Sequence, residues 1–180
     1  QDLKRYPRDL AADAKMAEAE GVHFLFTPSA KEIVPPHLET SVSVDKTANR
    51  WEGAVRPGHF RGVATIVAKL FLIVKPDIAY FGQKDYQQTV VIRKMVDDLN
   101  FNLKLRILPT VRETSGLAKS SRNQFLSEKE RLSAMVLYRA LQHARKRVKA
   151  GEVNCLILQK EVESILVSEP SAHVDYIAFC

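Results

Sequence analysis

Residues 78–81 form a short apolar run, Gly82 follows at once, and an amphipathic stretch then extends from about Lys84 to Leu99. This succession of strand, glycine turn and helix is the building unit of a parallel sheet. A strand buried on both faces reads as continuous hydrophobic residues, and a parallel partner can be reached only through a covering crossover. Residues 102–111 resume strand character where that partner belongs. Upstream, residues 60–74 place Val63, Ile66, Val67, Leu70, Phe71 and Val74 at offsets of three and four. That spacing predicts a helix with one core-facing stripe, stopped by Pro76.

The remaining elements follow from the same two periods and constrain the fold to an α/β class. Residues 10–20 read as a helix closed by Gly21, and residues 22–26 as a strand buried on both faces. Pro35 and Pro36 mark an extended loop, and residues 40–44 alternate like a half-exposed strand. Residues 112–123 form a polar loop containing Gly116. Ser127-Glu128-Lys129-Glu130 has the form in which a serine caps a helix and the glutamate returns the bond, so a helix of some six turns is expected to about Ala150, ended by Gly151. A helix over 153–167 and a last strand over 174–179 complete the chain. The change of style near residue 111 sets the expected domain boundary, with one domain over 1–110 and another over 111–180.

Composition narrows the class. With 46% hydrophobic and 27% charged residues over 180 positions, the chain is neither disordered nor a disulfide scaffold. The longest apolar stretch, residues 63–74, contains Lys69 and falls short of the roughly 20 residues that cross a bilayer, so no membrane association is expected. Cys155 and Cys180 lie far apart outside any C-x-x-C pattern, which predicts reduced thiols and a cytoplasmic setting. The start at Gln1 carries neither an initiator Met nor a signal-peptide core, as an excised piece would. Of the net charge of +6, most lies in residues 104–180, which hold 13 basic and 8 acidic side chains. A basic face for nucleic acid is one explanation. The other is a solvated helix surface plus a few cations aimed at a small phosphorylated ligand. The basic stretch His143-Ala144-Arg145-Lys146-Arg147-Val148-Lys149 spreads over more than one helical face and lacks interleaved aromatics, so the second explanation is preferred and no nucleic-acid partner is expected.

Three constellations can carry chemistry. In Phe81-Gly82-Gln83-Lys84-Asp85-Tyr86-Gln87-Gln88, a glycine at the C-terminal end of a strand admits a ligand to the backbone and the next helix offers N–H groups to an anion. Lys84 adds positive charge, and Gln88 lies three residues after Asp85 on the same helical face. The alternative is a routine strand-to-helix turn. Gly116-Leu117-Ala118-Lys119-Ser120-Ser121-Arg122-Asn123 offers a cation, two hydroxyls, a guanidinium and an amide in a flexible loop, a donor set suited to a transferring phosphoryl group and leaving pyrophosphate. A surface linker closed by Ser and Asn turns is its competitor. In the third, Gly53, Gly58 and Gly62 predict a pliable loop around Arg56 and His59; Arg56 is an anion-contact candidate, and His59 reads better as a structural histidine at a helix start.

Together these residues resemble the pantothenate synthetases, or pantoate–β-alanine ligases. The resemblance rests on Arg56-Pro57-Gly58-His59-Phe60-x-Gly62-Val63, Pro76-Asp77, Phe81-Gly82-x-Lys84-Asp85-Tyr86-Gln87-Gln88, Pro109-Thr110-Val111-Arg112-Glu113 and Gly116-Leu117-Ala118-x-Ser120-Ser121-Arg122-Asn123. Tyr6-Pro7-Arg8 and Glu20-Gly21-Val22 extend it to essentially the whole chain. It implies ATP-dependent ligation of pantoate and β-alanine through a pantoyl adenylate, with release of pyrophosphate and AMP. It also implies a partial Rossmann-like nucleotidyltransferase domain followed by a smaller α+β domain carrying the phosphate-binding loop. By the same resemblance Gly82, Gln83, Lys84, Asp85, Val111, Lys119, Ser120, Ser121 and Arg122 contact ATP. Lys84, Arg122, Ser120 and Ser121 take catalytic roles, Gln88 and Arg56 bind pantoate, Asp13 contacts Mg²⁺, and the enzyme is a homodimer. Position 119 is Lys where many members carry Met or Leu. The family's upstream Met-Gly-x-x-His-x-Gly-His and Asn-Pro-x-Gln-Phe motifs do not occur in the 180 residues, so this stretch alone is not expected to turn over substrate. Another adenylate-forming nucleotidyltransferase is the nearer rival function, and a nucleic-acid-binding module the more distant one.

Overall fold

The computed structural model describes residues 9–179. The Tyr6-Pro7-Arg8 motif and Cys180 lie outside the described residues. The chain divides into two compact units, one up to Thr40 and one from Ser41 onward.

In the first unit, helix α1 (Leu10–Ala19) is opened by the Asp9 carboxylate, which accepts from the Ala12 N–H at 2.9 Å. It is closed near Gly21, whose φ of +77° is the left-handed backbone that glycine adopts without steric cost. A short helix α2 (Ala30–Ile33) carries a complete capping box between Ser29 and Glu32. The strand expected over 22–26 is not formed, and Phe24 is 93% exposed. An apolar run becomes a strand only when a neighbour pairs with its backbone, and the sheet found among the described residues contains two other strands.

The second unit begins with helices α3 (Asp45–Ala48) and α4 (Glu52–Val55), followed by the long α5 (His59–Val74). Strand β1 (Ile78–Gly82), a 3₁₀ turn (Gln83–Asp85), helix α6 (Tyr86–Asp98) and strand β2 (Lys104–Leu108) then make one strand–helix–strand unit. The two strands pair in parallel, with Ile78 opposite Lys104 and Gly82 opposite Leu108. This is the α/β arrangement expected, a parallel sheet with flanking helices. The strands are half-buried, however, not covered on both faces. Ala79, Phe81 and Leu105 face the core, while Tyr80 on the other side is 62% exposed.

The core combines Phe60, Ala64, Ala68 and Phe71 of α5 with Val91, Ile92, Met95 and Val96 of α6 and Ala48 of α3. Burying each of the larger side chains contributes about 1.5–3 kcal/mol. The stripe of α5 is therefore rotated from the expected one. Ala64 and Ala68 face inward and let the helices approach, whereas Ile66 and Val74 are exposed. Phe71 meets Phe81 and Phe101 edge to face at centroid distances of 6.3 and 5.7 Å, a favourable geometry for aromatic quadrupoles. No ladder forms over residues 40–44. Val42 instead donates its N–H to Thr65 Oγ1 on α5 at 2.9 Å, and Val42 and Val44 pack on the core.

A second core joins helix α8 (Val136–Lys149) to α9 (Cys155–Val167) through Val136, Ala140, Ala144, Val162 and Leu166. The Ser127/Glu130 capping box is present at the start of α7 (Glu128–Ala134). The single six-turn helix expected here is split at Met135, whose N–H bonds three residues back to Leu132 O, the tighter 3₁₀ spacing. Residues 174–179 form no strand; Ile177 and Phe179 use their side chains to cover this core.

Candidate active site

Parallel pairing brings the C-terminal ends of β1 and β2 to the same sheet edge, with Gly82 beside Leu108. Gln83, Lys84 and Asp85 leave from one strand end, and Val111 lies three residues beyond the other. Ligands of open α/β sheets bind at this end. Gly82 has an ordinary extended backbone (φ −86°, ψ 133°), and a Cβ added there would meet nothing within 4 Å. It is not a glycine demanded by a tight turn; what it provides is open space at the strand end. Lys84 Nζ sits 3.3 Å from Asp85 Oδ1, with both side chains substantially exposed. Such a pair is weakly held, so the ammonium can exchange this partner for a phosphate oxygen. Gln88 is half-buried one turn further on.

The Arg56/His59 loop leads into α5. Arg56 Nη1 donates to Glu52 Oε1 at 2.8 Å and lies 3.4 Å from His59 Nε2. Burial, reinforced by the Arg56 charge, pushes the His59 imidazole below the usual histidine range against the opposing pull of Glu52 and Asp85. His59 is the first residue of α5. The three glycines take defined places. Gly62 lies inside α5, Gly58 is the left-handed N-cap at φ +78°, and a Cβ on Gly53 would fall 1.7 Å from Ala48 O.

The third constellation is anchored at its base and exposed at its tip. Arg112 and Ala118 form an antiparallel bridge, the Lys119 N–H donates to Val111 O at 2.9 Å, and Arg112 lies 4.5 Å over the Tyr138 ring. Glu113 receives both Arg131 Nη1, at 2.8 Å to each oxygen, and Asn123 Nδ2, at 3.1 Å. These donors hold the Glu113 carboxyl below its ordinary range, Arg131 first. Lys119, Ser121 and Arg122 are exposed, and Ser120 Oγ accepts the Arg122 N–H at 3.2 Å, opening a 3₁₀ turn (Ser121–Phe125). Val111 is 63% exposed, leaving an apolar surface without a protein cover.

Asp13 is an exposed carboxylate in the first turn of α1, in the other unit. Among the described residues no group of three His, Cys, Asp or Glu is placed to hold a metal ion. A cavity of about 440 Å³ lies elsewhere, between α7, α8 and residues 172–176, lined by Leu137, Leu166, Val174 and Tyr176. It contains none of the candidate residues.

Sequence reasoning missed Gln87 and Arg131. Gln87 occupies the core-facing stripe of α6, four residues before Val91, and a polar residue in that phase is a usable signal. Arg131 meets Glu113 across 18 positions, a separation no local pattern reports.

The family model described as pantoate-beta-alanine ligase matches residues 1–180. The pantothenate synthetase of Roseiflexus castenholzii is 51% identical over 178 residues, covering 99% of this chain and 64% of the relative. That of Thermoanaerobacter sp. is 50% identical, with 99% and 63% covered. The crystal structure of pantothenate synthetase from Thermus thermophilus superimposes with a TM-score of 0.94 at 47% identity, over 99% of this chain and 64% of that one. The Francisella tularensis pantoate-beta-alanine ligase, solved in complex with β-γ ATP and β-alanine, gives 0.75 at 35% identity, over 92% and 61%. The chain thus spans under two thirds of the length of these relatives. With a whole-chain family match and a shared fold at this identity, the chain belongs to the pantoate–β-alanine ligase family.

Proposed function

We propose that the protein containing this chain joins pantoate to β-alanine at the expense of ATP. What supports the reading is the strand pairing that sets the open Gly82 turn, with Lys84 after it, beside the end of β2 from which the Val111–Arg122 segment starts, together with the whole-chain family match. In the first step the pantoate carboxylate attacks the α-phosphorus of ATP, a C–O–P linkage forms, and the bond to the β-phosphate breaks as pyrophosphate leaves. The β-alanine amine then attacks the acyl carbon, and AMP departs with the linking oxygen. Negative charge grows on the transferring phosphoryl group and on pyrophosphate. Preorganised donors aimed there lower the barrier, and Lys84, Arg122 and the Ser120 and Ser121 hydroxyls are assigned to this task.

Gly82, Gln83, Asp85, Val111 and Lys119 complete the ATP site, with Val111 as the surface for adenine. Gln88 and Arg56 hold pantoate, the latter as a guanidinium suited to a carboxylate. Mg²⁺ would arrive with the triphosphate, since it keeps most of its waters and binds through one or two carboxylates plus phosphate oxygens. We assign residues 1–110 to the nucleotide-binding domain and 111–180 to the C-terminal domain, and place the enzyme in the cytoplasm as a homodimer. Among the described residues no helix is long and apolar enough to cross a membrane.

Pantoate labelled with ¹⁸O in its carboxylate tests the chemistry. The intact enzyme should transfer one label into AMP. Unlabelled AMP, or label appearing in inorganic phosphate, would contradict the adenylate route.

A further inference from the structure

The Gln87 side chain is only 6% exposed and yet makes bonds in three directions. Its Nε2 donates to Thr47 O at 2.9 Å and to Arg50 O at 2.7 Å, and its Oε1 accepts the Glu52 N–H at 3.1 Å. Both amide hydrogens and the carbonyl are thereby used, as a buried amide requires. The three partners span the junction of two helices: Thr47 in α3, Arg50 in the turn, and Glu52 at the start of α4. The turn contains Trp51 at φ +49°, a positive φ uncommon for a bulky residue, and Gly53 in the first turn of α4 is wedged against Ala48 O. Glu52, whose backbone Gln87 fixes, is the residue whose carboxylate accepts from Arg56. On the helix, Gln87 immediately precedes Gln88.

We propose that Gln87 is a positioning residue for the acid substrate: it sets the Arg56 loop against the start of α6, so that Arg56 and Gln88 keep the separation needed to hold one carboxylate-bearing ligand. This rests on the functional reading above in taking those two residues as pantoate contacts. An apolar side chain at 87 would continue the stripe of Val91 and Met95, but it would tie nothing to the 47–52 turn. The ATP side is fixed independently, because Gly82 is held by its pairing with β2.

The test uses the intact enzyme and measures AMP release against pantoate and ATP in turn. Gln87→Met, which keeps length and volume but removes all three bonds, should raise the KM for pantoate at least tenfold while the KM for ATP stays within about twofold. Thr89→Val is the control. Thr89 is equally buried on the same helix, but its hydroxyl bonds only to Tyr86 O at 2.7 Å, and its loss should move neither KM. A folded Gln87→Met enzyme with an unchanged pantoate KM, or with both KM values raised together, overturns the inference and leaves the functional reading intact. A wild-type enzyme without pantoate-dependent AMP formation overturns both. Should Gln87→Met not fold, Gln87→Glu, which retains the acceptor for Glu52 N–H and loses the two donors, carries the same expectation and the same refutation.

Discussion

At the 47–52 turn the anchor is a neutral amide, 6% exposed, bonded only to backbone; at the 111–125 loop it is an ion pair, Glu113–Arg131, whose side chains are 28% and 39% exposed. A buried neutral anchor is insensitive to salt and proton concentration, and it fails only when the core fails. A half-exposed charged anchor is screened by salt and released by protonation. The two sides of the proposed active site are thus held by different physics. The Arg56/Gln88 side rests on a buried anchor, and the Lys119–Arg122 side, proposed to face the triphosphate, has an exposed tip on a tied base.

Activity should separate the regions most strongly. In the intact enzyme Lys84→Ala, at the sheet-fixed edge, is expected to lower turnover by ~10²–10³, the loss typical of one preorganised donor. Lys119→Met, on the exposed tip, should cost less than about tenfold, because that position is proposed to contribute chiefly its backbone. AMP-release kinetics on the two variants decide this; equal losses would erase the distinction.

Paired glycine substitutions probe the two anchors through stability. Gly53→Ala drives a Cβ to 1.7 Å from Ala48 O, and backbone cannot step aside. The destabilisation should reach or exceed the top of the ~1–3 kcal/mol range for overpacking. Gly116→Ala faces the Tyr138 ring at 2.1 Å and a φ of +92°. A ring can swing away, so about 1–2 kcal/mol from the backbone is expected, together with loss of the Arg112 stacking. Thermal unfolding of both variants orders them, and a larger loss at Gly116 would contradict the contrast.

A smaller effect concerns pH. The Glu113 carboxyl is held below its ordinary value in the fold by Arg131 and Asn123. The order it confers is therefore present above the ordinary carboxylate pKa and lost as pH falls through the lowered value. Protection of the Lys119 amide, which bonds to Val111 O, should drop as pH falls below the ordinary carboxylate range and through the lowered value. Protection of the Glu52 amide on Gln87 should not. Parallel loss at both amides would show a common anchor.

What could be read from the sequence was local. The strand, Gly82 and the helix after it are specified by neighbouring residues, and the Ser127/Glu130 box needs only a spacing of three; both occur as expected. The stripe of α5 was displaced because Ala64 and Ala68 are weak hydrophobic signals but decisive for close helix packing, while Ile66 is a strong signal spent on the surface. Residues 22–26 and 174–179 have strand composition, but pairing is a property of two segments, and one segment cannot report it. Candidate site residues were legible as motifs. Their anchors, Gln87 to the 47–52 turn and Glu113 to Arg131, join distant positions and became visible only with the fold.

The central claim is tested most directly by exchange of labelled pyrophosphate into ATP, catalysed by the intact enzyme without β-alanine. The reaction as proposed predicts exchange that appears when pantoate is added and is absent without it. Exchange independent of pantoate, or none in its presence, would contradict an acyl-adenylate ligase at this site.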